Sequence, residues 1–423
     1  MSLIEELKWR GLLQDFVPGT EEYLAEEPGV GYVGFDPTAD SLHIGNLVPV
    51  MLLVHLQRHG HKPIALVGGA TGLVGDPSGK TAERKLLDME TLQKNLDGQK
   101  KQLMKFLDFN KGEQSAEIVN NYDWFRNFGF LEFIRDVGKH ITINYMLSKD
   151  SVQNRLESGM SFTEFSYQLV QGYDFLWLYE NKKCKLQMGG SDQWGNITTG
   201  TELIRRKAQG EAFAITAPLL MKADGQKFGK SEGGNVWLDR EKTSPYKFYQ
   251  YWLNVSDADA GKCIRIFTLL DKDDIERLEA EHAADPGKRL LQRALAESIT
   301  RTVHSEEDLR SAIEASEILF GKSTQENLRN LNESQFLEVF EGVPQGSLSL
   351  AQIKSGMGLT EVLTSSGFLS SNSEARRALQ ENSISLNKAK IDASHNVTEA
   401  DLLNEKYLLL QRGKKNYFIV IVQ

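Results

Sequence analysis

Twice in this 423-residue chain a short glycine-containing apolar run gives way, through a turn-forming stretch, to a helix-forming one. Residues 31–35 (GYVGF) lead through the turn formers DPTADSL and HIGN into a stretch whose apolar positions Leu47, Val50, Met51 and Val54 recur at helical spacing. Residues 185–190 (KLQMGG) lead through SDQWGN into a helix expected over 192–207. Pro49 has no N–H, so the first of these helices is expected to begin near Asn46 with the proline in its first turn. The runs PIALVGG (63–69) and ITAPLL (215–220), with a helix expected at about 91–107, complete an alternation of strand and helix. Such alternation specifies a parallel α/β sheet.

The remainder divides by pattern. A sheet domain is expected over 1–243, interrupted by a largely helical insertion at about 121–180 that is rich in Phe, Tyr and Trp. Residues 244–320 read as helical throughout, 321–354 as a Gly/Ser/Asn-containing linker, and 355–423 as two short helices followed by strands. The tail 355–423 holds eight Lys/Arg against seven Asp/Glu, a net of +1 within a chain of −9, so the first 354 residues carry −10. That balance argues against wholesale nucleic-acid coating and singles out the tail as the part with a separate partner. No apolar run approaches the roughly 18 residues of a membrane span. The N-terminus (MSLIEELKWRGLLQD) alternates charge and leucine rather than presenting a secretory signal. Cys184 and Cys263 stand far apart with no CxxC, which indicates neither a disulfide framework nor a thiolate metal site. A cytoplasmic, enzyme-sized protein without membrane contact or a resident metal is the expectation.

Five stretches carry chemistry, and each alone has a plainer reading. His43-Ile44-Gly45-Asn46 lies where a strand's carboxyl end feeds a helix N-terminus, suited to receiving a phosphate; a tight turn with a surface histidine is equally compatible. GGATGLVGDPSGKTAER (68–84) tempts towards a P-loop, but counting back from Gly79-Lys80-Thr81 puts the required glycine on Val74, and Gly75 is one residue late. What remains is a glycine loop bearing Lys80 and Arg84. KFGKSEGG (227–234) is a basic loop suited to closing over pyrophosphate, or a solvated charge run. In QMGGSDQWGN, Gly189 and Gly190 permit close backbone approach and Asp192 is placed for ribose hydroxyls, although Ser191 or Asp192 also serves as a helix cap. In FTEFSYQLVQGYDF, spacings of four and three put Tyr167, Gln171 and Asp174 on one helical face, a polar stripe in an aromatic segment.

The order of these stretches matches the plan of class I aminoacyl-tRNA synthetases. GYVGFDPTADSLHIGN, GDPSGK, FSYQLVQGYDF, GGSDQWGN and KFGKS together closely resemble the bacterial tyrosyl-tRNA synthetases over essentially the whole chain, and the tail resembles a small RNA-binding domain shared with a ribosomal protein and pseudouridine synthases. The resemblance implies a Rossmann-like parallel-sheet catalytic domain, an all-helical tRNA-side domain and a small α+β RNA-binding domain, assembled as a homodimer through the insertion. It implies L-tyrosine, ATP with Mg2+ and tRNA(Tyr) as partners.

By the same resemblance Tyr32 and Asp174 would hold the substrate phenol, with Asp76, Tyr167 and Gln171 at its ammonium group and Gln193 near its carboxylate. Gly34, Asp36, His43, Gly45, Asn46, Gly190, Asp192 and Lys230 would contact ATP. Thr38, His43, Asn46, Lys80, Arg84, Lys227 and Lys230 would stabilise the polyphosphate, and Arg376, Arg377, Lys388, Lys390, Arg412, Lys414 and Lys415 would meet tRNA phosphates. Two positions depart from the class pattern: Asn46 stands where a second signature histidine is usual, and KFGKS has Phe228 and Gly229 where Met and Ser are usual. The rivals are a tryptophanyl-tRNA synthetase, a small adenylyl- or cytidylyltransferase, which would leave 244–423 unexplained, and an RNA-binding protein that kept the fold without catalysis.

Overall fold

A computed structural model describes all residues except 27, 79–86, 157–158, 224, 226–227, 232–233, 321–324, 342, 393 and 414–415. Six strands form one sheet: β1 (Asp15–Phe16), β2 (Val30–Phe35), β3 (Lys62–Val67), β4 (Glu117–Asn120), β5 (Leu186–Gly190) and β6 (Phe213–Ala217). Their order is β1-β6-β5-β2-β3-β4. β2 to β6 run parallel, with Tyr32 paired to Ile64 on β3 and to Gln187 on β5. β1 is an antiparallel edge strand, Asp15 facing Thr216, too short for its hydropathy to announce. The chain winds from β2 out to β4 and returns to the other side of β2 at β5, so the order reverses between β2 and β5. Helices Tyr122–Phe125, Phe130–Asp136, Ile143–Leu147, Asp150–Leu156 and Phe162–Lys182 fill the insertion between β4 and β5.

The helix after β2 spans Ile44–Arg58, two residues earlier than the proline predicted. Its start is set by a reciprocal cap: His43 Nδ1 accepts from Gly45 N–H (3.0 Å), and Asn46 Oδ1 accepts from His43 N–H (3.0 Å). Pro49 therefore lies inside the helix and offers no N–H to the Gly45 carbonyl one turn back. Burial is nearly all-round rather than one-faced. The helix packs on β2, β3 and β5 and also against helices Leu3–Arg10 and Asp257–Phe267. The helix expected over 192–207 is three pieces: a 3-10 turn Ser191–Gln193, an α-helix Trp194–Leu203 and a π-helical end Ile204–Ala208.

The chain separates into two compact units, 1–243 with 251–304, and 244–250 with 305–423. The expected all-helical domain over 244–320 is thereby divided, because helices Asp257–Phe267, Lys272–Ala284 and Leu290–Val303 fold with the sheet. Arg10 is a main tie. It is 2% exposed, its Nε donates to Glu6 Oε1 (2.7 Å), and its other nitrogens donate to the carbonyls of Arg265 (2.8 Å), Thr268 (2.9 Å) and Leu270 (2.9 Å). One guanidinium thus satisfies a carbonyl in the last turn of helix Asp257–Phe267 and two in the chain just beyond it.

In the second unit the expected linker 321–354 is folded where described: helices Gln325–Arg329, Glu333–Val339 and Leu350–Lys354, and a strand Gln345–Leu348. That strand adds in parallel to Asn416–Val422 at the edge of a five-stranded sheet that is otherwise antiparallel. Helices Leu359–Ser365 and Asn372–Gln380 bury Leu359, Val362, Leu363, Ala375 and Ala378 in the same apolar core as Ile384, Leu408 and Val420. Arg10→Met should lower the unfolding free energy by about 3–5 kcal/mol, because buried Glu6 loses its guanidinium partner and three carbonyls lose their donor. Urea titration followed by far-UV circular dichroism measures this.

Candidate active site

At the reversal point the carboxyl ends of β2 and β5 open a cleft of about 420 Å3. Its deep end is built from β2 and the helix Phe162–Lys182, which bring Tyr32 and Asp174, each 1% exposed, to the same floor. Asp174 Oδ1 accepts from Trp124 Nε1 (2.9 Å) and Oδ2 from Asn121 Nδ2 (3.0 Å). Trp124 is held by stacking on Trp177 (centroids 4.2 Å apart), and Asn121 by accepting from Ala70 N–H (2.6 Å) and donating to Thr71 Oγ1 (3.2 Å). Burial outweighs both donors and pushes the Asp174 carboxyl up to about 8. Burial, and then the charge of Asp174, raise the Tyr32 hydroxyl well above the ordinary phenol range. Among the described residues Tyr32 Oη has no hydrogen-bond partner. A buried donor beside a carboxyl calls for a ligand group that both accepts and donates, which is what a hydroxyl does.

Nearer the mouth, Asp76 Oδ1 accepts from Ser78 N–H (2.9 Å) and Oδ2 from Gln193 Nε2 (2.7 Å). Asn196 Nδ2 reaches Asp76 Oδ1 (3.4 Å) and Ser78 Oγ (3.2 Å). Tyr167 Oη donates to Asp36 Oδ2 (2.9 Å), so its hydroxyl is tied to the loop after β2. With Gln171 and Asp192, these groups make a strongly acidic wall fit for an ammonium group and for sugar hydroxyls. His43, Gly45 and Asn46 line the opposite lip at the helix N-terminus. Because His43 Nδ1 accepts from Gly45, a neutral imidazole carries its proton on Nε2, as a donor. Asn46 spends its carbonyl oxygen on the cap and keeps Nδ2 as a donor, so the amide that replaces the second histidine also fixes the helix start.

The lysine loop meets this lip directly. Gly229 has φ +88°, and a Cβ on it would stand 3.1 Å from Gly45 N, so the usual serine would be strained there and would crowd the signature helix. Phe228 anchors the loop among the rings of Tyr251, Trp252 and Phe267, with centroids 5.8–6.0 Å away.

The family model "tRNA synthetases class I (W and Y)" matches residues 25–321, and that of the "Tyrosine--tRNA ligase SYY-like C-terminal domain" matches 335–420. The chain belongs to the class I tRNA synthetases. It is similar to the tyrosine–tRNA ligase of Flavobacterium johnsoniae, 60% identical across 100% of this chain and 99% of that protein. It is also 60% identical to the tyrosine–tRNA ligase of Cytophaga hutchinsonii, over 99% of each chain. Among solved structures, a C-terminally truncated mitochondrial tyrosyl-tRNA synthetase of Aspergillus nidulans superposes with TM-score 0.68 at 30% identity, covering 75% of this chain and 94% of that one.

Of the synthetase site expected from sequence, Tyr32, Gly34, Asp36, His43, Gly45, Asn46, Asp76, Tyr167, Gln171, Asp174, Gly190, Asp192 and Gln193 all line the one cleft. Thr38 does not. It is exposed, turned outward by a tight turn in which its N–H donates to Asp36 O (2.9 Å). Lys80, Arg84, Lys227, Lys414 and Lys415 lie outside the described residues, and Lys230 is placed by its backbone in the strand Lys230–Ser231. In the tail, Arg376, Arg377 and Lys390 are exposed. Arg412 pairs with Glu374 (2.7 Å), and Lys388 lies over the Tyr417 ring (4.5 Å) and donates to its hydroxyl. Sequence reasoning missed Asn121, Trp124, Ser78 and Asn196. The one signal was a pair of asparagines, Asn120-Asn121, closing a strand.

The Asp174 carboxyl holds its proton up to about pH 8 when folded, against an ordinary value of 3.8. Its contribution to stability is therefore complete below the ordinary value and is lost as pH rises towards the folded one. The urea midpoint of the ligand-free wild type should fall relative to that of Asp174→Asn between pH 5 and pH 8, the two measured side by side; a constant difference would contradict the assignment.

Proposed function

We propose that this class I synthetase is a tyrosine–tRNA ligase whose selectivity resides in Tyr32 and Asp174. One observation carries the reading: a buried phenol hydroxyl with no partner among the described residues, beside a buried carboxyl, at the deep end of the cleft. The substrate hydroxyl would accept from Tyr32 Oη and donate to Asp174, and a ligand without it would leave the Tyr32 hydroxyl unsatisfied and Asp174 with its Trp124 and Asn121 donors alone. Asp76, with Tyr167 and Gln171 beside it, would hold the ammonium group, and Gln193 would orient the carboxylate.

In the first step the tyrosine carboxylate oxygen attacks the α-phosphorus of ATP. The bond to the β-phosphate oxygen breaks, giving tyrosyl-adenylate and pyrophosphate. No protein nucleophile or general base is needed, so catalysis rests on positioning and electrostatics. His43 Nε2–H and Asn46 Nδ2 donate to the polyphosphate, Asp192 takes the ribose, and Lys80, Arg84, Lys227 and Lys230 neutralise the departing pyrophosphate. Magnesium enters with the nucleotide and shields its charge. In the second step a hydroxyl of the terminal adenosine of tRNA(Tyr) attacks the acyl carbon and AMP leaves. Exposed Arg376, Arg377 and Lys390 support phosphate contacts by the tail, while the ion pair with Glu374 makes Arg412 a weaker candidate. A homodimer through the insertion is supported by its exposed apolar side chains, among them Phe130 (64%), Leu131 (80%), Ile143 (65%) and Phe162 (68%).

The full-length relatives named tyrosine–tRNA ligase weigh against the tryptophan alternative. The intact amino-acid pocket weighs against a fold kept only for RNA binding. Pyrophosphate exchange into ATP should depend on tyrosine and not occur with tryptophan, phenylalanine or no amino acid, and the protein should then charge tRNA(Tyr). Exchange driven by tryptophan, or none by folded protein, would overturn the reading.

A further inference from the structure

The segment that follows the lysine loop is laid along the signature motif. Ile44 N–H donates to Val236 O (3.0 Å) and Leu238 N–H to Leu42 O (2.9 Å), so 236–238 run antiparallel to 42–44 with His43 opposite Trp237. A facing pair between two such bonds makes no backbone bond of its own and brings its side chains closest. The indole accordingly meets the His43 imidazole edge-on, with centroids 5.9 Å apart and planes at 67°.

Both the backbone and the ring of Trp237 are held. Its backbone N–H donates to Thr243 Oγ1 (2.9 Å), and Lys242 Nζ stands 5.4 Å from the indole centroid. That ammonium pairs with Asp40 (2.7 Å), three residues before His43 on the loop after β2. The strap begins where Val236 N–H donates to Gly229 O (3.1 Å), inside the lysine loop. Trp237 is not among the residues that line the cleft.

We propose that Trp237 is a positioning residue for adenylate formation. Its ring holds the His43 imidazole so that Nε2–H faces the polyphosphate, and the strap it sits on makes the placement of His43 depend on the lysine loop. The proposal rests on the ligase reading above; failure of the wild type to form tyrosyl-adenylate would overturn that reading, whereas the outcomes below bear on Trp237 alone.

The test is single-turnover adenylate formation at saturating tyrosine and ATP, with tyrosine affinity measured by equilibrium titration of the same proteins. Trp237→Leu should slow adenylate formation roughly 10–100-fold, the range expected when a reacting group is misplaced by about 1 Å, and leave the tyrosine dissociation constant unchanged. Trp237→Phe, which keeps a ring edge towards His43, should recover most of the rate. In a His43→Asn background, where the new side chain still caps the helix, Trp237→Leu should cost no more than about twofold further, since the two residues act as one unit. An equal loss with and without His43, or a parallel loss of tyrosine affinity, would overturn the proposal.

Discussion

A hydroxyl group buried under a parallel sheet, with nothing to bond among the described residues, is the constraint around which the catalytic unit is arranged. Tyr32 occupies a strand position whose neighbours on both sides are fixed by parallel pairing, so its ring cannot turn away from the cleft floor. Facing it, Asp174 is kept in an apolar helix by two N–H donors from the segment after β4, and one of those donors is locked by an indole stack. Such an arrangement costs stability in the empty protein, both as an unpaired phenol and as a carboxyl that resists ionisation. It is the form a site takes when its ligand supplies the missing group, and in the proposed reaction that group is the substrate phenol.

The phosphate end of the cleft relies on a different device. A helix N-terminus, a capped histidine and two glycines in contact leave little side-chain bulk between backbone and ligand. The signature motif and the lysine loop are far apart in sequence, yet Gly229 closes on Gly45, and residues 236–238 hydrogen-bond along 42–44. Asn46 loses nothing structural by standing where a histidine is usual, because its carbonyl oxygen is the cap acceptor. A reaction that needs no protein nucleophile depends on just this kind of fixed donor placement.

Much of this was legible in the sequence because glycine-ended apolar runs before helices have few other uses. β3 and β5 could be read that way, β2 and β6 from the strand–helix alternation around them, the polar stripe of Tyr167, Gln171 and Asp174 from its helical spacing, and the roles of the cleft residues from the family resemblance. The supports could not. Asn121 and Trp124 matter only through where β4 delivers them, and no local pattern encodes that. The strand Gln345–Leu348 (QGSL) joins its sheet through backbone bonds with only Leu348 fully buried, so it reads as linker. Helices 257–303 look like a domain of their own until Arg10 is seen bonding to carbonyls at and just beyond the end of the first of them. Pro49 misled because an N-terminal cap outranks the usual place of proline at a helix start.

The central claim is that Tyr32 and Asp174 together recognise a hydroxyl, and binding without catalysis tests it most directly. Tyrosine and phenylalanine would be titrated calorimetrically into the wild type and into the double variant Tyr32→Phe, Asp174→Ala. The wild type should prefer tyrosine by at least roughly 100-fold, since phenylalanine leaves the buried Tyr32 hydroxyl without a partner and denies Asp174 the bond from the substrate hydroxyl. The double variant, with neither group left, should bind the two within about threefold of each other by the same reasoning. A double variant that still preferred tyrosine by the wild-type ratio would contradict the account and move the selectivity elsewhere in the cleft.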